Sequence, residues 1–173
     1  MSSDNSCMNQ IGIATFTQTL TAIDKILDKL AAHAEAKKID ESVFVTLRLS
    51  PDMFPFSRQI QIMSDAAKGA AARLSGREVP SWPDDEKTIA DLKARIARTL
   101  AFIASIPPAD FAGSDDRIIK IKLGRNAPET EMSGKDLLAR VSLPNFYFHA
   151  TATYALLRAN GVDVGKNDFL NRN

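Results

Sequence analysis

Apolar residues recur every three or four positions along three long stretches, the spacing of amphipathic helices. The first helix is predicted over Ile13–Ala36. The second begins after Ser50-Pro51-Asp52 and ends at Gly76. The third begins with an N-cap at Asp84 or Asp85 and ends before Pro107-Pro108. Lys93, Arg95 and Arg98 are expected to lie away from the buried face of the third helix. The predicted buried faces are Phe16, Leu20, Ile23, Leu27, Leu30 and Ala34 in the first helix, Phe56, Ile60, Met63, Ala67, Ala70 and Leu74 in the second, and Ile89, Leu92, Ile96, Leu100 and Ile103 in the third.

The hydrophobic period changes to two residues over Arg117–Leu123, where isoleucines alternate with lysines. This alternation is typical of a half-buried strand. Gly124-Arg125-Asn126 supplies a turn, and Glu129–Met132 is predicted to pair back as a second strand. A lone hairpin is marginally stable, so it is expected to lie against the helices.

A fourth helix is predicted from a capping box at Ser133-Gly134-Lys135-Asp136 to about Asn160, before Gly161. Pro144 falls inside it, which predicts a kink near Arg140–Pro144 or, as the alternative, two helices that meet at Pro144. Four amphipathic helices with a hairpin between the third and the fourth predict an all-α four-helix bundle.

Length and composition predict one domain over residues 1–173, with a polar N-terminal tail over 1–10 that contains Cys7 and a C-terminal tail over 163–173. The formal net charge of +1 gives no basic face for nucleic acid. No apolar run is long enough to span a membrane, and no signal peptide is recognised. A cytoplasmic protein is therefore expected.

His149 is the first candidate for chemistry. Asn145, His149 and Thr153 follow one another at intervals of four, so they share one face of the fourth helix beside Pro144. Polar side chains in an apolar bundle helix favour a pocket, to which Tyr154 also belongs, although a single histidine is more often a structural side chain.

The second helix offers Arg58, Gln59, Gln61 and Asp65. They form either a solvated or salt-bridged face, or a second wall of the same pocket with Gln59 or Gln61 facing His149. The rotation of the helix decides between these interpretations.

The stretches Asn145-Phe-Tyr-Phe-His149, Tyr154-Ala-Leu-Leu-Arg158-Ala-Asn-Gly161, Leu49-Ser-Pro-Asp-Met-Phe-Pro55 and Gly165-Lys-Asn-Asp-Phe-Leu170 resemble a bacterial DinB-like family of unknown function. The resemblance implies an up-down-down-up four-helix bundle, often a homodimer. In the wider DinB/YfiT-like superfamily, many members bind a divalent metal through a helix 2 histidine and a His-x-x-x-His pair on helix 4. Some members transfer low-molecular-weight thiols.

The chain departs from that metal pattern, because Asn145 stands where the first histidine of the pair falls, and the second helix has no histidine. No metal is therefore expected; if one binds, His149 and Asn145 would hold Zn, Ni or Mn weakly. The leading hypothesis is a bundle that binds an unknown small molecule at a degenerate metal site. The alternatives are a metal-dependent thiol transferase or hydrolase, and a homodimeric structural or interaction protein.

Overall fold

The chain forms a mostly helical structure with one small antiparallel sheet, as the sequence predicts. The computed structural model describes residues 7–124 and 126–172, with side chains from residue 10 onwards. The helices in this part of the chain are α1 (Cys7–Lys37), α2 (Glu41–Thr46), α3 (Phe56–Leu74), α4 (Ile89–Ala104), α5 (Gly134–Asp136), α6 (Leu143–Ala159) and α7 (Lys166–Phe169), with a short 3₁₀ turn at Pro108–Phe111 and strands β1 (Ile118–Lys122) and β2 (Glu129–Ser133).

The core lies between the long helices α1, α3, α4 and α6. Helix α3 packs against α4 and α6, and α1 packs against the same two helices. The three predicted apolar faces are buried, with the exception of Leu100, which is half-buried. Phe16 of α1 and Phe146 of α6 meet edge to face, with ring centroids 4.9 Å apart.

One predicted boundary near the N-terminus is wrong, and one short helix was not predicted. Helix α1 begins at Cys7, so Cys7–Gln10 belong to a helix and not to a polar tail, while residues 1–6 lie outside the described part. The apolar period that predicts this helix starts only at Phe16, so it does not show where the backbone of the helix begins. The sequence also gave no expectation of α2, which Asp40 caps by accepting the N–H of Ser42 and which buries Phe44 and Val45.

Helix α4 begins at Ile89, four or five residues after the predicted N-caps Asp84 and Asp85. Thr88 is the cap, and its hydroxyl accepts the N–H of Asp91. The Asp91 carboxylate accepts the N–H groups of Lys87 and Thr88 in return, which lowers its pKa. Asp84 is not available as a cap because it pairs with arginines of α3 and α4.

The predicted hairpin is present, with Ile119 opposite Met132 in an antiparallel register. Its predicted turn includes Arg125, which lies outside the described residues. Beyond the hairpin the chain is helical without a gap from Gly134 to Ala159. The predicted irregularity before Pro144 is a π-helical stretch, Leu137–Ser142, rather than a junction of two separate helices. A π turn suits this place because Pro144 has no N–H for an α-helical hydrogen bond.

The segment predicted as a C-terminal tail folds back onto α1. Lys29 binds the carboxylate of Asp168, and Lys25 donates to the side chain of Asn171. Gln18 donates to the carbonyl of Leu170, so residues 163–172 belong to the folded unit. In the described part of the chain, every helix is too short or too polar to cross a lipid bilayer.

Gly134 lies where the hairpin joins α5, against the backbone of the preceding loop. A Cβ atom there would be 1.9 Å from the carbonyl oxygen of Ser114. Gly134→Ala should therefore destabilise the fold by about 1–3 kcal/mol or more, because backbone must move. Urea unfolding measures this loss. Gly165→Ala is the control without a clash, since its new Cβ would come no closer than 3.9 Å to Asp168, and it should lose much less stability than Gly134→Ala.

Candidate functional site

His149 is buried between α6 and α3. The residue is 7% exposed, and Nδ1 lies 2.7 Å from the side-chain oxygen Oε1 of Gln59. Helix α3 therefore turns Gln59 towards α6, which answers the question of rotation that the sequence left open. The prediction that Gln59 or Gln61 faces His149 is met by Gln59.

The Gln59 amide is bonded at both ends. Its Nε2 donates to the carbonyl oxygen of Phe54 at 2.9 Å, which leaves Oε1 as the acceptor for His149. Nδ1 of His149 must then carry the proton. Thr153 donates to the backbone carbonyl of His149, one turn earlier on α6. Loop 47–55, α3 and α6 are thus joined by a single chain of hydrogen bonds.

The His149 imidazole is neutral at neutral pH. Burial lowers its pKa below the ordinary value of 6.5, and the positive charge of Arg58 lowers that pKa further. The neutral Nδ1–H form is the one that the bond to Gln59 requires. Electrostatics and geometry therefore favour the same protonation state.

The six predicted pocket residues do not come together at one place. Asn145 is exposed at the start of α6, while His149 is buried. Tyr154 packs against Phe169 of α7, with ring centroids 5.7 Å apart, and so belongs to the contact with the C-terminal segment. Asn145, His149 and Thr153 were expected to share one environment because they are spaced at intervals of four. Asn145 is exposed to solvent, however, whereas His149 and Thr153 are buried.

Arg58 and Gln61 are bonded to loop 77–88 and make no hydrogen bond to His149. Arg58 pairs with Asp84 and donates to Gln61, whose amide donates to Glu86 at 2.8 Å. The salt-bridged interpretation of this face of α3 therefore describes Arg58 and Gln61, while the pocket interpretation is met only by Gln59.

Arg95 is at the centre of this ion-pair cluster, and its predicted exposure is wrong. The residue is 4% exposed. Its guanidinium donates to the carbonyl of Pro83 and binds three carboxylates at 2.8–3.0 Å, those of Asp65, Asp84 and Glu86. Burial disfavours the charge, but the three carboxylates raise the pKa of Arg95. The acidic run after Trp82-Pro83 was the available sequence signal for this contact.

An apolar groove lies beside the His149–Gln59 pair, between loop 47–55 and the outer face of α6. Its volume is about 400 Å³. We call it the α6 groove. It is lined by Leu49, Met53, Pro144, Tyr147, Phe148, Thr151, Ala152 and Ala155. Tyr147 is 41% and Phe148 59% exposed, which is unusual for aromatic side chains on a helix.

The donors around His149 do not fit the metal site that the DinB-like resemblance implies. His149 can offer a metal only Nε2, because Nδ1 is bonded to Gln59, and Asn145 is exposed at the start of α6. Throughout residues 7–124 and 126–172, no group of three or more His, Cys, Asp or Glu side chains could hold a metal ion. A neutral amide and one imidazole make a poor site for zinc or nickel.

Comparison with known proteins agrees with this architecture. The chain is similar to a DinB family member from Shewanella denitrificans, whose crystal structure was determined at 1.83 Å resolution. The two sequences are 36% identical, the match covers 94% of this chain and 93% of that one, and the TM-score is 0.85. A search of curated proteins finds no match.

These observations define a DinB-like helical protein. Residues 8–170 match the model of a family described as Domain of unknown function (DUF1993). The chain belongs to this family, which confirms the resemblance seen in the sequence.

The lowered pKa of His149 predicts a pH-dependent stability. As the pH falls below about 6.5, the unfolded state takes up a proton that the folded state resists, so the free energy of unfolding should decrease. Urea unfolding at about pH 7.5 and pH 5.5 measures this slope. His149→Gln cannot titrate and should show a smaller decrease. An equal decrease in both proteins would assign the pH dependence to other groups.

Proposed function

We propose that this protein is a metal-independent, DinB-like bundle that binds an apolar small molecule in the α6 groove. The observation that carries the proposal is the groove itself, which has mainly apolar walls and two exposed aromatic rings. Its volume of about 400 Å³ lies in the range of small-molecule sites, and such sites are mostly apolar.

The His149–Gln59 pair supports this proposal because it fastens the two walls of the groove. Gln59 binds the carbonyl of Phe54, next to Met53 of one wall, and His149 follows Phe148 of the other wall. The residues at the degenerate metal position would thus hold the binding site open instead of binding a metal. Fixed walls lower the ordering cost of binding.

The likeness to the DinB family member also supports an up-down-down-up order for the four long helices. The alternative function is a metal-dependent thiol transferase or hydrolase. It needs an ion at His149, where Nδ1 is already bonded to Gln59 and only Nε2 is left to bind the ion. We derive no catalytic step from such an ion, because the donor set does not fit it.

Metal content tests whether the protein is independent of metal. The protein purified without a histidine tag should contain Zn, Ni and Mn well below one equivalent, and His149→Ala should contain the same amount. Mass spectrometry of the metal content gives the answer. A near-stoichiometric metal that His149→Ala loses would contradict the proposal and favour the enzyme.

Filling the groove tests the binding site. Ala155→Phe places a ring inside the α6 groove, whereas Ala159→Phe adds the same ring to an exposed position of α6 outside it. Nile red, a neutral apolar dye, should bind to the wild type and to Ala159→Phe. Its affinity for Ala155→Phe should be about tenfold lower, which corresponds to the loss of one buried apolar group. Equal dye affinity in all three proteins would place the dye elsewhere.

A second candidate function is that of a homodimeric interaction protein, favoured by the exposed side chains of Leu49, Phe54, Tyr147 and Phe148. An uncharged apolar patch can face a copy of itself across a two-fold axis without repulsion. In this case sedimentation equilibrium should find a wild-type dimer and a Phe148→Glu monomer. Ile118→Glu, on the exposed face of the hairpin, is the control that should leave the dimer intact.

A further inference from the structure

A second cavity lies on the other side of the molecule, beneath loop 77–88 and above one face of α4. Its volume is about 320 Å³. Asp91, Ala94, Arg95 and Arg98 form its floor, which is one helical face because these positions are separated by three or four residues. Trp82, Pro83 and Asp85 of the loop form its roof and one side.

The two ends of this cavity carry opposite charges. Asp91 and Arg98 lie two helical turns apart along α4, and Asp85 and Glu86 line the cavity from the loop. Within the described residues, neither Asp85 nor Arg98 has an ion-pair partner, and Arg98 stacks on Trp82 with its guanidinium carbon 4.4 Å from the ring centroid. Asp91 uses one carboxylate oxygen to cap α4. The cavity is therefore acidic at one end, basic at the other and apolar between Trp82 and Ala94.

The roof of the cavity is held in place by the Arg95 cluster. Pro83, Asp84 and Glu86 are all bound to the Arg95 guanidinium, so the loop that carries Trp82 and Asp85 is fixed over α4. Lys68 of α3 lies 4.2 Å from the Trp82 ring centroid and holds the loop from another direction. A site with fixed walls loses little entropy when a ligand binds.

Arg95 also has one hydrogen-bond donor left over. Of the five N–H donors of a guanidinium, its Nη1 and Nη2 donors meet four acceptors, and the Nε–H is buried without an acceptor among the described residues. Such an orphan donor costs free energy. Because the Nε atom has almost no exposed surface, this cost belongs to the ion-pair cluster that holds the roof and not to a contact with the ligand.

We propose that this cavity binds a small zwitterion of the ω-amino acid type, with its ammonium group at Asp85 and Asp91 and its carboxylate at Arg98. Asp91 and Arg98 are about 10 Å apart along the helix axis, from a rise of 1.5 Å per residue. A ligand that reaches both residues therefore needs several atoms between its own charged groups. This requirement fits γ-aminobutyrate better than glycine, and the methylene groups would lie against Ala94.

Trp82 is the only tryptophan of the chain, so its fluorescence reports on this cavity directly. Titration of the full-length protein with γ-aminobutyrate should give a saturable change, and calorimetry should give the same dissociation constant. Butyrate and butylamine have the same length but one charge each, and they should bind about tenfold more weakly because each loses one charge-assisted contact. Glycine, which is too short, should also bind more weakly.

Arg98→Gln and Asp85→Asn test the two ends of the site. Both positions are exposed, so neither change should disturb folding, and circular dichroism checks this. Each should weaken γ-aminobutyrate binding about tenfold by calorimetry, which is the loss of one charged hydrogen bond. Lys122→Gln, on the hairpin, is the control and should bind like the wild type.

Three results would overturn the proposal: no saturable binding of γ-aminobutyrate to the wild type by either method, equal binding of the single-charge analogues, or unchanged binding by both variants. Ala155→Phe separates this test from that of the α6 groove. That variant should bind γ-aminobutyrate normally even where it has lost the apolar dye. The two binding proposals are therefore tested independently, and a negative result for one does not affect the other.

Discussion

The side-chain amide of Gln59 connects three parts of the molecule that are far apart in the sequence. Its nitrogen binds the carbonyl of Phe54 and its oxygen binds His149, so loop 47–55, α3 and α6 keep a fixed relation. A buried amide needs partners for both of its ends, since an unpaired polar group in the interior is costly. The same bond fixes the tautomer of His149, because Nδ1 must carry the proton that Gln59 accepts.

The buried charge of Arg95 likewise holds a loop, 77–88, against the helices. Loop 77–88 has no regular secondary structure, and its packing depends on Arg95 together with Arg58 and Lys68. Replacing a buried ion pair by apolar residues is often tolerated, whereas removal of one partner leaves uncompensated charge. The arrangement therefore commits the loop to one position over α4, where apolar contacts alone would allow several positions.

Periodicity predicted the long helices and the hairpin because both depend on a repeating burial pattern. The residues of the sites could not be assigned in this way, because their contacts depend on the rotation of each helix and on partners from other elements. Gln59 and Gln61 are two residues apart and equally polar, yet the rotation of α3 sends one to His149 and the other to Glu86. Arg95 looked solvated because three of its partners come from a loop and another helix. The DinB-like resemblance identified His149 as the residue of interest, and the fold then showed its partner.

The π-helical stretch at Leu137–Ser142 has a consequence for how the two halves of the last long helical segment are aligned. A π turn holds about one residue more than an α turn, and one residue corresponds to about 100° of rotation about the helix axis. The face of Leu138, which packs towards Gly12 of α1, is thus out of angular step with the face of His149. Deletion of a single residue between 137 and 142 would restore α-helical spacing and leave Gln59 and His149 themselves unchanged. It would nevertheless turn the imidazole away from Gln59. The rotation of α6 about its own axis is therefore as necessary to the His149–Gln59 contact as the two side chains.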